Sequence, residues 1–141
     1  MFIVMFDVPG APKGKGRPRF ARRGNFVKTY TDSKTADYEA QIREAATNAM
    51  GSSGPLETPV SVYLYARIPI PASASKKAKK AMISGEVRPT KKPDIDNIAK
   101  AFLDSFNKII YLDDTQVISL HCTKVYSVDP GVNVMIREEV L

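Results

Sequence analysis

A chain of 141 residues with a formal net charge of +6, from 21 lysines and arginines against 15 aspartates and glutamates, suits one domain with a single core and a polyanionic partner. Its one cysteine, Cys122, excludes an internal disulfide framework and fits a reducing compartment. No apolar run approaches membrane-spanning length, and the opening run over residues 2–6 has no basic segment before it and stops at Asp7 and Pro9, so a soluble, cytoplasmic protein without a signal peptide is expected.

In chain order, residues 2–8 predict a strand closed by Pro9-Gly10. Residues 10–24 hold four glycines and two prolines among cations and predict a loop. Residues 26–30 predict a short second strand. Thr31, Asp32 and Ser33 offer N-caps for a helix reaching Met50, in which Tyr38, Ile42, Ala45 and Ala49 recur at helical spacing and Gly51 supplies the stop. After a turn-rich connection, residues 60–69 alternate: Val62, Leu64, Ala66 and Ile68 fall on one side, Tyr63, Tyr65 and Arg67 on the other. That pattern predicts a strand with one face in a core. Residues 74–84 predict a lysine-rich helix ending at Gly85, followed by a basic loop to Pro93. Residues 96–110 predict the strongest helix. Residues 117–126 and 132–137 predict two strands paired across the Asp129-Pro130-Gly131 turn. The whole is a single α+β domain over residues 1–141, with a mixed four- to five-stranded sheet and helices packed on it. His121 points away from Ile118, Leu120 and Cys122 on its strand; it and Cys122 are expected to be structural.

Charge is distributed unevenly. Residues 11–30 carry Lys13, Lys15, Arg17, Arg19, Arg22, Arg23 and Lys28 with no acid, and residues 76–92 carry Lys76, Lys77, Lys79, Lys80, Arg88, Lys91 and Lys92 against Glu86 alone. Directly after the second stand Asp94, Asp96, Asp104, Asp113 and Asp114. On the helix over 96–110, Ile95, Ile98, Phe102, Phe106 and Ile109 make an apolar stripe, while Asp96, Lys100, Asp104 and Asn107 make a polar one. Asp94 joins Asp96 only if it lies extended before the helix. The plain alternative is that Asp94 is an N-cap, Asp96 a first-turn acid, and Asp113-Asp114 a polar turn.

A helix of that length spans roughly 21 Å, so the Asp113-Asp114 turn starts at the end far from Asp94. The two acidic sites meet only if the chain after residue 110 folds back, or if Asp114 begins a strand beside the helix. Phosphodiester hydrolysis gives a reason to bring them together. It needs phosphate charge neutralised and water activated, which hard divalent cations held by carboxylates supply without histidine. Lys100, one turn beyond Asp96, suits a scissile phosphate, or else an ordinary helix-face pair with Asp96.

The run Asp94-Ile95-Asp96-Asn97-Ile98-Ala99-Lys100-Ala101, then Asp104, then Tyr111-Leu112-Asp113-Asp114-Thr115-Gln116-Val117 resembles the D-x-D-N-x-x-K helix and L-D-D-x-Q-V turn of the RusA-type Holliday junction resolvases. Pro12-Lys13-Gly14-Lys15-Gly16-Arg17-Pro18-Arg19-Phe20 is similar to the basic loop of phage-encoded members. The resemblance implies a homodimeric endonuclease of mixed α+β fold that nicks four-way DNA junctions symmetrically during recombination, repair or phage replication, close to the nucleoid. It implies Asp94, Asp96 and Asp114 as catalytic and metal-binding acids and Lys100 as the functional lysine, with Asp113, Asp104 and Asn97 in support. Mg2+ is the implied metal, with Mn2+ an alternative. Lys13, Lys15, Arg17, Arg19, Arg22, Arg23, Lys76, Lys77, Lys91 and Lys92 would hold phosphates without reading bases. Phe20, Phe26 and Tyr30 are candidates for stacking on unpaired bases, or for core positions.

Two other readings stand beside this one. A non-catalytic basic protein binding branched DNA or RNA would use the same cations and leave the aspartates to cap and turn. A small metal phosphohydrolase acting on nucleotides would have little use for the clustered cations. The N-terminal strand and the strand over 60–69 are candidate dimer surfaces.

Overall fold

The computed structural model describes residues 1–15, 19–24, 26–30 and 33–140, the stretches 19–23 and 26–30 by their backbone alone. Among these residues six strands and three α-helices follow in the order β1 (Ile3–Pro9), β2 (Arg19–Arg23), β3 (Phe26–Tyr30), α1 (Ser33–Met50), β4 (Val60–Pro69), α2 (Lys76–Ser84), α3 (Ile95–Ser105), β5 (Val117–Ser127) and β6 (Gly131–Glu138). Four strands form one mixed sheet in the order β1-β6-β4-β5, and β2 pairs with β3 as a separate antiparallel ribbon. The loop expected over residues 10–24 therefore gives way to a strand at Arg19, which finds its partner in β3. Thr31 and Asp32, two of the candidate caps for α1, lie outside the described residues.

The expected hairpin between the last two strands does not form. β4 lies between β5 and β6, parallel to the first and antiparallel to the second. The reason is burial. Val62, Leu64, Ala66 and Ile68 are all buried, and a strand so deep in the sheet needs its backbone N–H and C=O groups paired on both sides. Residues 128–130 cross the end of β4 instead of turning back on β5, with Ser127 opposite Pro69 and Gly131 opposite Arg67. Arg67 fastens the crossing. Its Nε donates to the Asp129 carbonyl at 2.8 Å, and its Nη1 bonds Asp7 at 3.0 Å and also Asn133. Gly131 leaves the space that this guanidinium fills.

A parallel β4–β5 pair demands a crossover, and residues 70–116 supply it with α2 and α3. α1 and α3 lie together on one face of the sheet. α1 buries Tyr38, Ile42, Ala46 and Met50, and Gly51 ends it with φ +57°, its amide bonded to the Thr47 carbonyl. α2 starts at Ser75, whose hydroxyl accepts from the Ala78 amide at 3.1 Å, and stops at Gly85 with φ +86°. α3 buries Ile98, Ala99, Ala101, Phe102 and Ser105. It ends five residues before the expected 110, because Lys108 takes φ +69° and the chain folds Ile110 and Tyr111 back into the core. Ile95, assigned by its spacing to the apolar stripe, stands in the first turn and is exposed.

Phe106 sits at the centre of the core, edge-on to Phe6, Phe102 and Tyr111 with centroids 6.0, 5.9 and 6.3 Å away. Phe106→Ala is expected to cost about 3–5 kcal/mol. Urea unfolding would show this as a lower midpoint with an unchanged slope; a midpoint shift below about 1 kcal/mol would mean the aromatic cluster does not hold α3 to the sheet.

Candidate active site

The first turn of α3 fixes where the acids point. With Ile98 and Phe102 buried beneath it, Asp96 and Lys100 face outward and are exposed. Asp94 is the N-cap residue, extended at φ −71° and ψ 149°, yet its carboxylate makes no capping hydrogen bond. A carboxylate at a helix start that leaves the free amides alone is available to something else. It follows the cis Lys92–Pro93 peptide, and the turn before it is held from β5: Lys124 Nζ donates to the carbonyls of Lys91 at 2.9 Å and Pro93 at 3.1 Å. Lys124 was not among the expected site residues, and a lone lysine in a strand pattern offers no signal of such a role.

Across from this turn lies the arm of residues 12–15. Together they enclose a groove of about 460 Å³ lined by Pro12, Lys13, Gly14, Lys15, Lys92, Pro93, Asp94 and Asn97. Gly14 lies so close to α3 that a Cβ there would fall 2.7 Å from the Asn97 Cβ, and the Lys15 amide donates to the Asn97 carbonyl at 3.0 Å. The groove brings Asp94 and Asn97 together with three of the expected phosphate-holding lysines, Lys13, Lys15 and Lys92, of which Lys13 and Lys92 are exposed.

Lys15 is placed differently. Its ammonium bonds Asp104 at 2.9 Å and Glu39 at 3.5 Å, joining the arm to α3 and α1. Burial pulls this ammonium down, but the two carboxylates outweigh it and hold it above its ordinary value. Burial likewise pushes Asp104 up, while the hydrogen bond and charge of Lys15, and then Lys100, hold it below its ordinary value. Lys100 reaches Asp104 at 3.5 Å, so its helix-face partner is Asp104 and not Asp96.

The far acids stand at the other end of α3. The Tyr111 hydroxyl donates to the Leu103 carbonyl at 2.7 Å, and burial, followed by the charges of Asp114, Asp104 and Asp113, pushes its phenol far up. Asp114 is half-buried, and its charge and that of Asp104 both act on this phenol. Asp113 caps the 3₁₀ turn Asp114–Gln116, accepting from the Thr115 amide at 3.1 Å, and hydrogen bonds from Thr115 hold its carboxyl below the ordinary range. Gln116 completes the turn. Its Oε1 accepts from the amides of Leu112 and Asp113, both at 3.0 Å, and its Nε2 donates to the carbonyls of Leu56 and Thr58. The Asp113-x-x-Gln116 spacing of a capping box was the legible signal for that role.

Of these acids only Asp96 and Asp104 lie on α3 itself, with Asp94 as its cap. Asp96 and Asp104 are separated by a helical rise of roughly 12 Å. Among the described residues no three of His, Cys, Asp and Glu gather as a group able to hold a metal ion. Asp94 and Asp96 are nonetheless exposed oxygen donors beside the groove, the donor chemistry that a hard divalent cation takes while keeping several waters.

Lys91 is exposed at the edge of the same turn, and Lys76 and Lys77 are exposed on α2, whose side chains contribute nothing to the buried core. Arg17 lies outside the described residues, as do the side chains of Arg19, Arg22, Arg23, Phe20, Phe26 and Tyr30. His121 is on the open face of the sheet, stacked on Tyr63 with centroids 4.8 Å apart. Cys122 is half-buried, and burial pushes its thiol up. Among the described residues no helix is long and apolar enough to cross a membrane.

The family described as Endodeoxyribonuclease RusA matches residues 9–137. Among curated proteins, "Uncharacterized protein YqaN" of Bacillus subtilis (strain 168) is 38% identical over 141 residues, covering 98% of each chain.

The Lys15–Asp104 contact has a pH signature. Because the folded carboxyl lies below its ordinary value of 3.8, its stabilisation is present above that value and is lost as the pH falls through the depressed one. Asp104→Asn is expected to lower stability on the order of 1 kcal/mol at neutral pH and by less at about pH 2. Denaturation at both pH values checks this, and an equal loss at each would refute it.

Proposed function

The chain belongs to the RusA endodeoxyribonuclease family, and from that footing we propose that it is a metal-dependent endonuclease resolving Holliday junctions and related branched DNA by paired symmetric nicks. The observation that carries this reading is the groove in which Lys13 and Lys92 flank the uncapped carboxylate of Asp94 at the start of α3. Cations on both walls suit a phosphate backbone, and the carboxylates suit a divalent ion, Mg2+ or Mn2+, beside it.

In this reading Asp94 and Asp96 hold the ion through their exposed oxygens; Asp114, at the other end of α3, is included only on the strength of its match to the family's turn motif. When bound, the ion would neutralise charge on the scissile phosphate and make water nucleophilic. Lys100, exposed one turn beyond Asp96, meets the negative charge that builds on the phosphate. Lys13, Lys91, Lys92 and the arginines of the β2–β3 ribbon hold the flanking strands, with Lys76 and Lys77 extending the basic surface. Asn97 and Asp104 support the site by holding the arm.

Two nicks at symmetric positions call for two sites, which a two-fold homodimer supplies. The open face of the sheet suits that contact. Ile3, Met5 and Tyr65 are exposed there, around a shallow depression of about 220 Å³ that also takes in Tyr63, His121 and Met135. A non-catalytic junction-binding protein, its aspartates serving as caps and turns, is the second reading, favoured by the capping role that Asp113 takes in the 3₁₀ turn.

The test is cleavage of an end-labelled four-way junction by wild type and Asp96→Asn, in Mg2+ and in EDTA. Paired symmetric nicks are expected from wild type in Mg2+ alone. Asp96→Asn is expected to cut at least about a hundredfold more slowly, as when a group stabilising transition-state charge is removed, while still binding the junction. Tight binding without cleavage in Mg2+, and none when Mn2+ replaces it, would leave the second reading.

A further inference from the structure

Lys15 and Lys100 compete for one oxygen. Both ammonium groups lie against Asp104 Oδ2, Lys15 at 2.9 Å and Lys100 at 3.5 Å. The shorter contact belongs to the more buried side chain, 23% exposed against 61% for Lys100. A carboxylate one helical turn beyond a lysine is its natural partner. Here that partner is largely taken by a cation from a distant part of the chain.

Lys15 is also the last described residue of the arm that forms one wall of the groove. Two further contacts seat the arm on α3: the close approach of Gly14 to Asn97, and the bond from the Lys15 amide to the Asn97 carbonyl. Its side chain and backbone therefore bind the same helix two turns apart, at Asp104 and Asn97. Glu39 adds a contact from α1 at 3.5 Å.

We propose that Lys15 is a positioning residue for the cleavage reaction: by taking the closer contact with Asp104 it holds the Lys100–Asp104 pair at its looser 3.5 Å, so that the exposed Lys100 ammonium can be given up to the phosphate. The proposal rests on the nuclease reading for its functional consequence. The physical logic is charge competition. With Lys15 in place, Asp104 carries a partner and its negative charge is screened from the nearby DNA backbone. Without it, Asp104 draws Lys100 into a closer pair on the helix face, away from the substrate, and presents net negative charge beside the groove. Asp104 is thus harmful to cleavage when unpaired, although it supports the arm when paired.

This makes an unusual demand on a variant series, because removing the second partner should repair the loss of the first. Single-turnover cleavage at saturating junction would be measured for wild type, Lys15→Met, Lys15→Arg and Lys15→Met/Asp104→Asn, with junction Kd measured separately in EDTA. Lys15→Met is expected to slow cleavage about tenfold with Kd changed less than about threefold, and the double variant and Lys15→Arg to return within about threefold of wild type. If Lys15 acted only by tethering the arm to α3, Asp104→Asn would not rescue its loss, because the tether is absent from the double variant as well. No effect of Lys15→Met on the rate, or a double variant as slow as the single one, would overturn the proposal.

A second readout is independent of activity. In the full chain, carbon-detected titration of the Asp104 carboxyl is expected to show its midpoint rising toward the ordinary value in Lys15→Met; an unchanged midpoint overturns the competition. If wild type cuts no junction, the nuclease reading fails, while this titration still decides whether Lys15 governs Asp104.

Discussion

The packing of α3 against the sheet sets the direction of every polar group at the candidate site. Phe102 and Phe106 are fully buried and meet Tyr38, Phe6, Tyr111 and each other edge-on. Such ring pairs add about 0.5–1.5 kcal/mol each beyond the area they bury. More important is what they forbid. Turning the helix by one residue moves each side chain through about 100°, which would bring Phe102 toward water and carry Lys100 toward the core. The outward row of Asp96, Lys100 and Asp104 is therefore a consequence of the inward row of rings.

Against that fixed row, the positive charge of the chain does two distinct jobs. Some lysines are spent inside the protein: Lys15 joins three elements, and Lys124 holds the turn that presents Asp94. Others, such as Lys13 and Lys92, remain exposed on the walls of the groove. A net charge of +6 does not distinguish these uses. An exposed lysine contributes to long-range attraction that salt screens, whereas a half-buried one bonded to a carboxylate fixes geometry and is screened far less.

The parts legible in the sequence are those governed by local rules. Tyr38 and Ile42 at helical spacing placed α1, the alternation from Val62 to Ile68 placed β4 with its buried side, and Gly51 and Gly85 marked helix ends. The pairing of β5 and β6 with β4, in place of each other, was not legible, because it depends on which strand most needs partners and not on the turn between them. The end of α3 was hidden for a related reason: Ile109 continues the helical spacing, but Tyr111 gains more by folding under the helix, where it buries its ring and bonds Leu103. At the site, the motifs marked Asp94, Asp96 and Lys100 at the start of α3, but no spacing rule reveals that Lys15 would turn to Asp104. A contact between residues 89 positions apart is set by tertiary packing alone.

The insertion of β4 between β5 and β6 also sets an order of events during synthesis. β1 and β4 both take β6 as a neighbour, and β6 is made after every other strand of the sheet. Until residues 131–138 have left the ribosome, β1 has no partner in the sheet and β4 has at most one. From the synthesis of β4 until that of β6, the nascent chain thus carries two apolar strands with open edges. Long-range strand pairing of this kind is slow and exposes edges that other chains can take. For this topology, the last strand synthesised is the one that closes the fold.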